Sequence, residues 1–168
     1  PNILKLEKET INIQNLDFKI SHEEKDFFKN FDNLLKVSDI KFSVSTGHSI
    51  FFIKQNLRSE EYKINIKKDS ILIEYSDYGG KFYSIITLIQ LINFYNTNLP
   101  LGLIEDRPAL NWRGMHLDCA RQFYTIDEIK RLMNYMCFFK LNRFHWHLTD
   151  NEAWRVELDC YPNLTKVG

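Results

Sequence analysis

NRFHWHLTDNEAW, residues 142–154, is the stretch whose reading decides the fold. From Arg143 the side chains alternate: His145 and His147 share one face of a strand, and Phe144, Trp146 and Leu148 share the other. Thr149, Asp150 and Asn151 then break the pattern with short polar side chains. A polar cluster at the C-terminal end of a buried strand is where α/β proteins place their chemistry. Asp150 is therefore the main functional candidate of this stretch.

Working upstream, Ile129, Leu132, Met133, Met136 and Cys137 recur at helical spacing. Thr125 followed by Glu128 is a capping box that would start that helix. Residues 112–120 read as a buried strand, and residues 121–125 as the loop joining it to the helix. Strand, helix, strand is a βαβ unit, so the two strands are expected to be parallel.

The first half reads differently. Ser21 and Glu24 form a second capping box, with Phe27, Phe28, Phe31, Leu34 and Leu35 following on a helix over residues 22–36. Tyr62, Ile64 and Ile66 alternate with polar neighbours, Lys68 and Asp69 turn the chain, and Ile71, Ile73 and Tyr75 alternate again: a hairpin. Residues 77–80 read as a loop. Residues 81–95 are apolar on nearly every side, which predicts a helix covered on more than one side, one of them by the hairpin sheet. Pro100, Gly102 and Pro108 mark a linker. The expected organisation is an α+β N-terminal domain, an antiparallel sheet with helices, over residues 1–99. A linker over 100–108 and a second domain from 109 to 168 would follow.

Twenty-two basic and 22 acidic residues balance to a net charge of zero, so no whole-molecule field favours nucleic acid or an anionic membrane. No apolar run is long enough to span a bilayer. Cys119, Cys137 and Cys160 are too few and too widely spaced for a disulfide framework. The chain begins at Pro1, which reads as a processed or trimmed piece; no signal peptide is visible, and the compartment stays open.

Residues 106–168, DRPALNWRGMHLDCARQFYTIDEIKRLMNYMCFFKLNRFHWHLTDNEAWRVELDCYPNLTKVG, resemble the start of the catalytic barrel of family 20 glycoside hydrolases, the β-N-acetylhexosaminidases. The shared elements are WRG, LD-x-AR-x-F, KLN, HWHL-x-D and a following W-R. Residues 61–92 resemble that family's non-catalytic N-terminal domain. The resemblance implies a TIM-like (β/α)8 barrel, truncated in this chain after about its second strand. It also implies cleavage of terminal β-linked N-acetylglucosamine or N-acetylgalactosamine, with retention, by a substrate-assisted mechanism. In that mechanism the substrate's acetamido oxygen attacks the anomeric carbon, an Asp orients the acetamido group, and the adjacent Glu is the general acid.

By the same resemblance, Arg121 hydrogen-bonds the 3- and 4-hydroxyls of the terminal sugar, which suits a fixed fork of guanidinium donors. The plainer reading is an arginine closing a loop by a salt bridge. Asp150 pairs with a downstream histidine and supports the acid; as an ordinary turn residue it would do neither. Asp118, His145 and His147 are expected to support the site from behind or to pack. The family often continues after Asp150 with a second Asp, a Gln or small residue, and Gly-Trp. Here Asn151, Glu152, Ala153 and Trp154 stand in those places, which leaves the loop's conformation open, and Gln122 replaces a common His.

The expected partner is a carbohydrate, with no cofactor, no metal and no nucleic acid. Two other classes compete: a metal-dependent hydrolase using His145 and His147, and a non-catalytic sugar-binding or assembly module. A catalytic zinc site usually needs three protein ligands, and no third has ligand spacing. Asp127-Glu128 is the only adjacent Asp-Glu pair, and it falls in a helix's first turn, where acids favour the dipole. Sixty residues after Pro108 compare with the roughly 250 of a whole barrel. This chain alone is therefore expected to be inactive, with self-association through the incomplete barrel as one outcome.

Overall fold

In a computed structural model, which describes residues 1–13, 17–35 and 40–167, the chain divides into two compact units, Pro1–Ala109 and Leu110–Gly168. In the first lie β1 (Ile3–Asn12), β2 (Asp17–Lys19), α1 (Lys25–Phe28), α2 (Asp32–Leu35), β3 (Lys41–Ser43), β4 (His48–Lys54), β5 (Tyr62–Ile66), β6 (Ser70–Tyr75), α3 (Tyr78–Tyr95) and β7 (Asn98–Asp106). The strands form one sheet in the order β1-β7-β5-β6-β4-β2-β3.

The β5–β6 hairpin is as its alternation requires. Ile64 faces Ile73 and Ile66 faces Ile71 across the ladder, and all four are buried. The sheet around it is mixed, which corrects the antiparallel expectation. The β1–β7, β7–β5 and β5–β6 pairs are antiparallel, but β6, β4, β2 and β3 run parallel. The reason lies in chain order: β5 reverses the direction of β4, β6 reverses it again, and β6 then sits beside β4. Alternation tells which face a residue takes, not which way its neighbour runs.

The linker expected over residues 100–108 is a second correction. Most of it belongs to β7, which pairs with β1 on one side and β5 on the other. Pro100 is tolerated because it lies beyond the last β5 partner, Gly102, and pairs with Thr10 where the β1 register resumes after its irregularity. Gly102 is required by close approach: its φ is +140°, and a Cβ there would meet the Lys5 carbonyl oxygen at 2.1 Å.

Helix α3 starts earlier than its apolar run. Asp77 caps it, accepting the Gly80 N–H at 2.9 Å. Hydrogen bonds from Gly80, Glu60 and Ser59 outweigh the effect of burial and hold the Asp77 carboxyl below its ordinary value. The helix expected over residues 22–36 is present as one helical run from His22 to Leu35 that alternates 3-10 and α segments, but Ser21 makes no side-chain cap. Glu24 pairs with Lys81 rather than closing a capping box. Lys81 Nζ also sits over the rings of Phe27 and Phe52, 4.5 and 4.7 Å from their centroids, while Phe31 stacks on Phe82. Long-range partners thus outcompeted the local cap. Lys36, expected at this helix's end, lies outside the described residues.

The second unit is built from β8 (Gly114–Asp118), α4 (Ile126–Phe138), β9 (Arg143–His147) and α5 (Leu164–Val167). β8 and β9 are parallel, as the βαβ reading requires. The Thr125–Glu128 capping box forms in both directions. Ile129 and Met136 are buried from the helix. Arg113 anchors the entry to β8, its side chain donating to the carbonyls of Lys140 and Leu110, both at 2.8 Å.

Candidate functional site

The parallel register sets His116 beside His145 and Asp118 beside His147. Residues paired across a ladder share a face, so these four polar side chains form one row, and Met115, Leu117, Phe144 and Trp146 form the opposite one. The polar row ends where both strands end, and three side chains from the two following loops close on it.

Asp118 shapes the first loop. Its Oδ1 accepts the backbone N–H groups of Ala120 at 3.0 Å and Arg121 at 3.1 Å. Its Oδ2 accepts from Arg121 Nη1 at 2.6 Å. The backbone and side-chain hydrogen bonds of Arg121 hold the Asp118 carboxyl down at about 2. Asp118 is therefore an anion throughout the neutral range.

Arg121 Nη2 donates to Asp150 Oδ2 at 3.1 Å, and Nε lies 3.7 Å from Glu152 Oε1. The Asp118 bond, then the charges of Glu152, Asp118 and Asp150, raise the arginine's pKa above its ordinary value. Its side chain keeps 56% of its surface in solvent. A guanidinium carries five N–H donors, so two hydrogen-bonded carboxylates do not exhaust it.

Asp150 begins a closed turn. Its N–H donates to the Ala153 carbonyl at 3.0 Å, and Thr149 and Trp154 form an antiparallel bridge. Arg155 ties this turn back to β8, with Nε donating to the Cys119 carbonyl at 3.1 Å. His147 Nε2 lies 2.9 Å from the Thr149 carbonyl and 3.4 Å from Asp150 Oδ2, and Nδ1 lies 4.0 Å from Asp118 Oδ2. Asp150 Oδ2 is thus shared between the arginine and the imidazole. An open groove of about 620 Å³ runs beside it, lined by residues 150–154 and 160–164.

Of the residues singled out from sequence, Arg121, Asp150, Asp118 and His147 come together. His145 does not; it stands one rung back, its ring 4.6 Å from that of His116. The salt-bridge reading of Arg121 describes the geometry correctly, but the bridges are made to the very groups the site contains. Two further neighbours, His116 and Glu152, carry no signal of their own in the sequence pattern. His116 needed the strand register to be seen. Glu152 reaches Arg121 only because the 149–154 bridge folds the turn back. Among the described residues no three His, Cys, Asp or Glu side chains are grouped as metal ligands.

Residues 110–168 match the family profile described as glycosyl hydrolase family 20, catalytic domain, and residues 6–107 match glycosyl hydrolase family 20, domain 2. A beta-hexosaminidase of Vibrio furnissii is 41% identical over 109 residues, covering 64% of this chain and 18% of that protein. An N,N'-diacetylchitobiase of Vibrio harveyi is 37% identical over 118 residues, covering 70% of this chain and 13% of that protein. The crystal structure of a family 20 exo beta-N-acetylglucosaminidase from Vibrio harveyi, in complex with N-acetylglucosamine, superposes with a TM-score of 0.82 at 32% identity. That match covers all of this chain and 28% of the other. The chain spans less than a fifth of the length of these two curated relatives.

Proposed function

This chain belongs to glycosyl hydrolase family 20, and we propose that the complete protein carrying it is a β-N-acetylhexosaminidase. It removes terminal β-linked N-acetylglucosamine or N-acetylgalactosamine with retention, the substrate's own acetamido group serving as nucleophile. The observation that carries this reading is the Arg121–Asp150–His147 cluster, held just beyond the C-terminal ends of two parallel strands in a chain of this family.

In this reading β8, α4 and β9 are the opening βαβ of a (β/α)8 barrel, and the first unit is the non-catalytic domain before it. The C-terminal face of such a barrel is where substrates bind. Arg121 donates to the hydroxyls of the terminal sugar. Asp150 fixes the orientation of a histidine and so supports the general acid. The acid and the acetamido-orienting Asp come from outside these 168 residues. His147 supports the rim and His145 lies one rung behind it, neither as a catalyst. The ligand is a carbohydrate; no cofactor takes part.

The test is kinetic, on the complete protein with a nitrophenyl N-acetylglucosaminide. Arg121→Ala should lower kcat/KM on the order of 10²–10⁴-fold, because a site built to bond hydroxyls loses its pairing. Asp150→Asn should act mainly on kcat, since it disturbs support of the acid more than ground-state binding. Near wild-type kcat/KM in both variants would refute the assignment.

A further inference from the structure

The two oxygens of Asp118 do separate things. Oδ1 takes the Ala120 and Arg121 backbone N–H groups at 3.0 and 3.1 Å, a turn that bends the chain out of β8. Oδ2 takes Arg121 Nη1 at 2.6 Å. Of the three carboxylates around Arg121, Asp118 alone grips both its backbone and its side chain. Asp150 touches only the guanidinium, at 3.1 Å, and Glu152 lies further off at 3.7 Å. Asp118 is also the better shielded, with 23% of its side chain exposed against 50% for Glu152.

We propose that Asp118 is a positioning residue for sugar recognition: it fixes the plane and direction of the Arg121 guanidinium before substrate arrives. The proposal rests on the sugar-binding role given to Arg121 above. A long, half-exposed arginine would otherwise surrender its rotamer freedom on each binding event, and preorganisation removes that cost. The charge-assisted bond from Oδ2 supplies the constraint, and the rigid end of β8 supplies the reference frame.

Asparagine separates this role from that of an ordinary turn residue. It keeps a carbonyl oxygen for the two backbone N–H groups but presents an amide NH₂ where Oδ2 stood, and an NH₂ cannot accept from a guanidinium. The complete protein is assayed with a nitrophenyl β-N-acetylglucosaminide and with its 4-deoxy analogue. Wild type, Asp118→Asn, Arg121→Ala and the double variant are compared.

Asp118→Asn should melt within about 4 °C of wild type. It should lose on the order of 10- to 100-fold in kcat/KM on the hydroxylated sugar, and much less on the deoxy sugar. In the Arg121→Ala background the same change should add less than about twofold, because coupled residues are not additive. An equal loss on both sugars, additivity with Arg121→Ala, or a melt well below wild type would overturn the proposal and leave Asp118 a turn residue. If Arg121→Ala itself loses nothing and leaves the deoxy discrimination intact, the sugar-binding reading fails first, and this proposal falls with it.

Discussion

Replacing Tyr62 with Phe deletes one hydroxyl from the centre of the first unit. Tyr62 is 1% exposed. Its hydroxyl lies 2.5 Å from Thr87 Oγ1 on α3 and donates to Asp106 Oδ2 on β7 at 2.9 Å. One atom on β5 therefore ties three elements together. A hydrogen bond to a charged group contributes about 1.5–3 kcal/mol and a neutral one about 0.5–1.5 kcal/mol. Thr87 stays buried after the change, so its lost partner is not replaced by water. The expected destabilisation is about 2–4 kcal/mol, read as a lower urea midpoint at unchanged slope. The pH dependence gives a second readout. Burial, then the charge of Asp106, push the Tyr62 phenol above its ordinary value, with the Thr87 bond opposing. The folded state therefore keeps a proton that the unfolded state releases above pH about 10. That contribution is fully present below this pH and is lost as pH climbs through the folded value. Tyr62→Phe lacks it, so the stability gap between the two proteins should narrow above pH about 10. A variant within about 0.5 kcal/mol of wild type at pH 7, with a gap that does not change with pH, would refute the reasoning.

Two further outcomes are expected of the chain as it stands. Gly102→Ala should destabilise it by about 2 kcal/mol or more, since φ is +140° and the new methyl would meet Lys5 and Leu6 backbone atoms within 2.9 Å; an unchanged melting temperature would show that β1 can give way. The purified 168-residue chain should not turn over a fluorogenic N-acetylglucosaminide. Its one adjacent Asp-Glu pair is committed to α4, where the Glu128 carboxylate accepts from the Thr125 N–H at 2.8 Å and hydroxyl at 2.9 Å. Turnover that co-purifies with the intact 20.1 kDa species would contradict this.

Local chemistry was the legible part. The β5–β6 hairpin, the Thr125–Glu128 cap and the parallel βαβ each depend on side chains close in sequence, and each formed as its pattern requires. The Ser21–Glu24 box has the same pattern and did not form, because Lys81, 57 residues away, took the glutamate. The residues read as a linker, 100–108, carry the usual turn signals. Yet Pro100 sits beyond β5's reach, and Gly102 allows β1 to pass close by. A proline or glycine marks a special backbone position without saying whether that position is a turn or an irregularity within a strand.

The candidate site divides along the same line. Sequence by itself determined which side chains stand on the polar face of β9, that Asp150 follows a strand end, and that Arg121 opens a βα loop. Those statements need only the two-residue period of a strand and the residues that break it. Tertiary structure alone decided that Arg121 from the β8 loop reaches Asp150 beyond β9, that Glu152 turns back toward Arg121, and that the Asp150 oxygen near His147 is the one that takes the arginine. These are distances between residues up to 31 positions apart. They follow from the parallel register of β8 on β9 and from the bridge between Thr149 and Trp154. Strand register is set by packing across the whole unit, and no local run of residues encodes it.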